Sequence, residues 1–174
     1  MATIKEFLQE FEQEVQTTRR VLERVPADRL AWKPHDKSMS LGQLALHVAT
    51  VPGAVAEISG QSPFPAPKFE HPSPASAAEL IPALDQSLAK VREILGKMDD
   101  AALARTWRVV DGDREVMAIP VAALFRSIML NHWYHHRGQL SVYLRQVGVP
   151  VPSIYGPSAD ENPFAARTAS AVGA

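Results

Sequence analysis

The sequence predicts an all-α fold: a four-helix bundle with a long crossover and a small β-hairpin before the last helix. Four stretches repeat apolar residues at the three- and four-residue spacing of an amphipathic helix. A segment with five prolines separates the second stretch from the third, and two β-prone runs flank an Asp-Gly pair before the fourth. The 174 residues suit one domain. We expect this domain at residues 1–164 and a flexible tail at 165–174.

The first two helices are predicted at residues 4–25 and 41–58. Ser40 is the predicted N-cap of the second helix, since its hydroxyl can accept from the free amides of the following turn. Gln43, three residues on, completes a capping-box pattern. Pro52 lies inside this helix and predicts a kink or an early end near that point.

The proline-rich segment at residues 61–74 predicts a semi-extended crossover. A connection of this length can join parallel helices, whereas short loops join antiparallel neighbours. The third helix is predicted at 77–98, the hairpin strands at 106–110 and 115–119, and the fourth helix at 121–147.

Composition excludes several function classes. The net charge is −1, from 18 basic and 19 acidic residues, so we expect no nucleic acid partner and no anionic membrane partner. The absence of cysteine excludes disulfides, thiolate zinc sites, iron–sulfur ligation and a cysteine nucleophile. No secretory signal and no segment of roughly 20 apolar residues is visible, so the expected location is the cytoplasm.

Three histidines stand out as candidate metal ligands. His132 and His136 lie four residues apart on the fourth predicted helix, so their side chains project from one face. His47 lies on the apolar stripe of the second predicted helix. Since unpaired imidazoles are costly to bury, a shared divalent cation would give all three a partner. Three protein ligands would leave one position open for water or substrate.

Each of these observations also has a simpler explanation. A histidine on an apolar face is usually a satisfied core residue, and a helical pair alone is weak evidence for a metal. His135 adds ambiguity, because it lies three residues from His132. The glutamate of a metalloprotease helix is missing, since Trp133 and Tyr134 follow His132.

The segment HWYHHRGQL at residues 132–140 resembles the H-x-x-H-H-R-G-Q signature of the DinB (damage-inducible)/YfiT-like family. Residues 40–47 resemble the helix that supplies the first metal ligand of that family. The stretches 32–34 and 144–148 are also similar to family sequences. The resemblance runs in order through nearly the whole chain, from about residue 7 to residue 157.

The resemblance implies an up-down-down-up bundle, often a homodimer, with nickel or zinc on the triad His47, His132 and His136. It also suggests transfer of a low-molecular-weight thiol, such as bacillithiol, mycothiol or glutathione, to an electrophilic small-molecule substrate. A metal lowers the pKa of a bound thiol, and because the chain has no cysteine the thiol must be a cofactor. A metal-dependent hydrolase and a non-catalytic metal-binding stress-response module are the alternatives.

No side chain is assigned as catalytic, since a metal-bound water or thiol would carry the reaction. Gln139 and Trp32 are candidate substrate-binding residues, although helix packing explains Gln139 equally well. Arg137 is expected as an ion partner at the surface or at an interface. His35 and His71 lie in predicted loops, where we expect solvated side chains.

Overall fold

The computed structural model describes residues 3–68 and 70–165. The three long α-helices α1, α2 and α3 span Ile4–Leu22, Leu41–Ser59 and Leu80–Gly96. The fourth helical element, α4, covers residues 121–146 as three consecutive segments: an α-helical turn Val121–Ala123, a π-helix Leu124–Asn131 and an α-helix His132–Gln146. Short 3₁₀ helices lie in the connections at Ala27–Arg29, Ala77–Glu79 and Asp100–Ala104.

Capping boxes define where the first two helices begin. Thr3 and Glu6 cap α1 reciprocally, each side chain binding the other residue's backbone amide. At α2 the Ser40 hydroxyl accepts from the Gln43 amide at 3.2 Å, and the Gln43 side chain accepts from the Ser40 amide at 2.9 Å. The predicted N-terminus of the second helix is therefore confirmed.

The prediction of an all-α fold is wrong, because the mostly helical structure also contains a three-stranded mixed sheet. Strands β2 (Thr106–Asp111) and β3 (Arg114–Pro120) form the antiparallel hairpin that the Asp-Gly pair predicted. The third strand, β1 (Phe64–Pro65), comes from the proline-rich crossover and pairs parallel with β2, in the order β1-β2-β3. A proline is tolerated there because β1 is an edge strand, which needs no donor on its outer side. Two residues in a proline-rich stretch carry no periodic strand signal, so the sequence could not reveal them.

Helix α2 lies at the centre of the core and packs closely on α3. Gly53 allows this approach, since a Cβ at that position would lie 2.8 Å from the Cα of Ser87. The Gly53 amide donates to the Ser87 hydroxyl at 2.8 Å. Among the described residues, α2 is the one helix long and apolar enough to cross a membrane, and 61% of that stretch is buried inside the protein. Its burial in the core is sufficient to explain its apolar composition.

The chain after α4 returns across the helices. The Asp160 carboxylate accepts from the Val151 amide at 2.8 Å and pairs with Arg145 of α4. Glu161 pairs with Arg20 of α1. These contacts attach this segment to both helices. The tail predicted at 165–174 lies outside the described residues, except for its first residue.

Candidate metal centre

The side chains of His47, His132 and His136 converge from two helices. One ring nitrogen of each lies within 4.8 Å of those of the other two. The Nε2 atoms of His47 and His132 are 3.0 Å apart, and the ring centroids of His132 and His136 are 4.3 Å apart. Two nitrogens bound to one ion at about 2.0–2.1 Å would be separated by about 2.8–3.4 Å in octahedral or tetrahedral geometry. The spacing of the rings therefore fits a shared divalent cation.

A hydrogen bond fixes which nitrogen of His136 is free. Its Nδ1 lies 2.7 Å from Oε1 of Gln139. Because an amide oxygen only accepts, Nδ1 carries the hydrogen and Nε2 keeps its lone pair. Gln139 thus orients the His136 ring in the way that partners of metal-bound histidines usually do.

Burial keeps the triad neutral. It lowers the pKa of His47 and of His136 to about 4, and the neighbouring imidazoles oppose a positive charge further. Burial and then His135 lower the pKa of His132 in the same direction. All three rings therefore offer lone pairs at neutral pH, which is the protonation state that binds a metal.

A proline and a tryptophan set the register between the two histidine-bearing helices. Pro52 does not end α2, but it has no N–H, so the carbonyl of Val48 four residues earlier lacks its usual helical partner. The indole Nε1 of Trp133 donates to that carbonyl at 2.8 Å in the buried interior. Since Val48 follows His47 and Trp133 follows His132, this bond joins the two turns that carry the facing rings.

The π-helical segment Leu124–Asn131, which comes directly before His132, was not predicted from the sequence. Its i→i+5 bonding rotates the side chains relative to a regular α-helix. Met129 and Leu130 are each only 1% exposed, whereas Ile128 is half-buried on a cleft wall. The segment thus changes which side chains reach the core just before the triad.

Two clefts of different chemistry reach the triad. His47 and His132 line the first, which has a volume of about 360 Å³ and is otherwise walled by apolar side chains. His136 lines the second, of about 460 Å³, together with polar and charged residues that include Lys33 and Lys37. The site is therefore open to small molecules from two chemically distinct sides.

The structure places the remaining candidates around this centre. Gln139 lines the polar cleft beside His136. Trp32 packs edge-on against Tyr143 with ring centroids 5.5 Å apart, and Tyr143 lines the same cleft. Substrate binding by either residue stays a prediction. His71 is exposed, but its ring centroid is 5.6 Å from that of His47, a proximity that the loop sequence did not indicate.

Arg137 is an ion partner, as expected, but the expected surface position is wrong, because its side chain is only 1% exposed. Its guanidinium lies 2.6 Å from the Glu14 carboxylate and donates to the Thr18 hydroxyl at 3.1 Å and to the Tyr155 hydroxyl. Glu14 and Thr18 lie four residues apart on α1, so both polar side chains are on the same face of that helix. The arginine of the signature therefore fixes α1 to α4 and does not act as a surface charge.

Comparisons with known proteins agree on one family. A family model described as the DinB family matches residues 1–165. Protein YrdA of Bacillus subtilis (strain 168), an uncharacterized protein, is 28% identical over 160 residues, which cover 91% of this chain and 92% of YrdA. The structure of a DinB-like protein from Bacillus cereus ATCC 10987 has a TM-score of 0.70 at 26% identity, covering 88% of this chain and 98% of its own. The DinB-like protein YjoA of Bacillus subtilis shares the fold, with a TM-score of 0.62 at 22% identity, covering 83% and 95%.

Proposed function

The chain belongs to the DinB family, and from that premise we propose that it is a metal-dependent enzyme that transfers a low-molecular-weight thiol to an electrophilic small molecule. The observation that supports the proposal is the donor set. Among residues 3–68 and 70–165, the group able to hold an ion comprises three neutral imidazoles and no carboxylate. Three protein ligands leave a coordination position for an exogenous molecule, as catalytic sites require.

His47, His132 and His136 would hold the cation through their free ring nitrogens. Imidazole donors suit nickel and zinc, which are the metals we expect. When bound, such a cation lowers the pKa of a nearby thiol and so supplies thiolate at neutral pH.

The protein's own groups would position and protect the reactants. Gln139 fixes the His136 ring, and the Trp133 bond fixes the separation between α2 and α4. In the transfer, the thiolate sulfur forms a bond to the electrophilic carbon, and the leaving group departs with its bonding electron pair. The thiol proton passes to solvent through the polar cleft. The chain contains no cysteine, so no protein thiol competes.

Elemental analysis of the purified protein, with its variants, tests the metal site first. We expect a stoichiometric divalent metal in the wild type and loss of most of it in His136→Ala. His135→Ala is the matched control, because His135 is the exposed neighbouring histidine and lies outside the triad. Full occupancy in His136→Ala would show that the assigned triad is wrong.

Turnover then separates the candidate activities. The metal-loaded protein is mixed with a chromogenic aryl halide and, in turn, bacillithiol, mycothiol or glutathione, with and without chelator. We expect thiol consumption that chelator and His136→Ala both abolish. Metal-dependent ester hydrolysis without thiol would instead identify a hydrolase. Metal binding with neither activity would leave a non-catalytic metal-binding module.

The assembly and location of the protein stay predictions. Sedimentation velocity of the purified protein tests the expected homodimer. Cell fractionation tests the expected cytoplasmic location, and a filter-binding assay with duplex DNA tests the expected lack of nucleic acid binding.

A further inference from the structure

The cleft that reaches His47 and His132, here called the apolar cleft, is walled by three parts of the fold. Its volume of about 360 Å³ lies at the lower end of the range of small-molecule sites. Helix α2, the π-helical segment and the sheet all contribute hydrocarbon or aromatic groups. The main wall residues are Val51, Val55, Ile58, Phe64, Trp107 and Ile128.

The polar atoms nearest this wall already have partners. The indole Nε1 of Trp107 donates to the Ile58 carbonyl at 2.9 Å. The ring of Phe64 stacks on that indole with centroids 5.9 Å apart, and β1 pairs with β2 behind it. A charged or strongly polar group entering the cleft would lose its hydration and find no replacement partner until it reached the histidines.

We propose that the apolar cleft binds the hydrocarbon part of the electrophile, so that the substrate is an uncharged alkyl or aryl compound with its reactive carbon at the histidine end. This inference rests on the proposed function, which places the metal between His47, His132 and His136. In this arrangement the apolar cleft binds the electrophile and the polar cleft admits the thiol. The charged thiol approaches through the polar cleft, where Lys33 and Lys37 outnumber the single carboxylate, that of Asp36.

A series of straight-chain hydroxamates on the metal-loaded protein tests the inference without requiring turnover. The hydroxamate head binds the cation, and the alkyl chain reports on the wall beside it. Calorimetric titration should show affinity rising about three- to fourfold for each added methylene until the cleft is full, as burial of a CH₂ group predicts. Acetohydroxamate, with a single methyl group, reports the open metal position alone.

Two adjacent residues of β3 provide the blocking variant and its control. Met117 lines the apolar cleft and is 40% exposed, while Val116, its neighbour in β3, is 46% exposed and does not line the cleft. Met117→Glu places a carboxylate in the cleft and should reduce the ratio of octanohydroxamate to acetohydroxamate affinity at least tenfold. Val116→Glu should leave the ratio unchanged, and acetohydroxamate should bind all three proteins equally.

The outcomes distinguish this inference from the proposed function. Tight acetohydroxamate binding with no gain from longer chains would overturn the apolar-cleft inference and leave the open metal site standing. The apolar-cleft inference would also be overturned if the ratio of octanohydroxamate to acetohydroxamate affinity fell equally in Met117→Glu and Val116→Glu. Failure of every hydroxamate to bind the metal-loaded protein would overturn the proposed function and this inference with it.

Discussion

Replacing Trp133 by phenylalanine tests how α2 and α4 are held in register at the histidines. The change removes the donor to the Val48 carbonyl and leaves a buried acceptor without a partner, which costs about 1–3 kcal/mol. It also trims a ring that stacks on Phe11 at 5.4 Å, and we assign about 1–2 kcal/mol to the resulting cavity. We therefore expect the free energy of unfolding to fall by about 2–5 kcal/mol, the sum of these two contributions.

A double-mutant cycle with Pro52→Ala isolates the hydrogen bond from the packing. An alanine at position 52 supplies the N–H that the helix lacks, so it can satisfy the Val48 carbonyl when the indole is gone. The double variant should therefore be more stable than the sum of the two single changes predicts, by about 1–3 kcal/mol. Trp107→Phe with Pro52→Ala is the matched control, because Trp107 donates to a different α2 carbonyl, that of Ile58.

Urea unfolding of the metal-free proteins measures the free energy of unfolding of each variant. Competition with a chromogenic chelator measures metal affinity. Affinity should fall by on the order of tenfold in Trp133→Phe and recover partly in the double variant, because the bond joins the turns that carry His47 and His132. The reasoning is refuted if the losses of unfolding free energy in the two single variants add up to the loss in the double variant within about 0.5 kcal/mol. The indole would then contribute packing alone.

Three further predictions concern the same region. Gln139→Leu should lower metal affinity by about 10- to 100-fold in chelator competition, while His135→Ala leaves it unchanged; equal affinities would rule out orientation by Gln139. The metal-free protein should lose stability in thermal melts as pH falls from about 6.5 towards about 4, because unfolded histidines take up protons while folded His47 and His136, with a pKa of about 4, do not. Solvent screening of these half-buried rings limits the loss to on the order of 2 kcal/mol, and a flat profile would contradict it. Arg137→Met should lower the free energy of unfolding by about 2–4 kcal/mol in urea, since its carboxylate partner on α1 loses its ion pair; a loss below about 1 kcal/mol would show that the pair is dispensable.

Local sequence signals were sufficient to predict the helices and to select the three histidines. Apolar spacing and the Ser40 capping box depend on residues within one or two turns, so they can be read without knowledge of the fold. The family prediction, made from the signature at residues 132–140, is confirmed. The π-helical segment was missed because an i→i+5 pattern leaves no distinct composition in the chain.

Features that depend on distant partners could not be predicted in this way. Arg137 is buried because Glu14, 123 residues earlier in the chain, presents a carboxylate to it. The strand Phe64–Pro65 exists only because β2 offers it an edge, and this pairing makes the all-α assignment wrong. In both cases the tertiary partner decides the environment, and the local sequence carries no record of that partner.

The crossover has a larger role at the site than its proline content suggested. Phe64, held by the β1–β2 pairing, walls the apolar cleft. His71, seven residues on, lines the polar cleft, and its carbonyl accepts from Gln43 Nε2 at 2.7 Å. One short segment, anchored at both places, therefore bounds both routes to the triad. Helices α2 and α4 carry the three histidines that could hold a cation, while the crossover and the sheet that holds it line the clefts that lead to them.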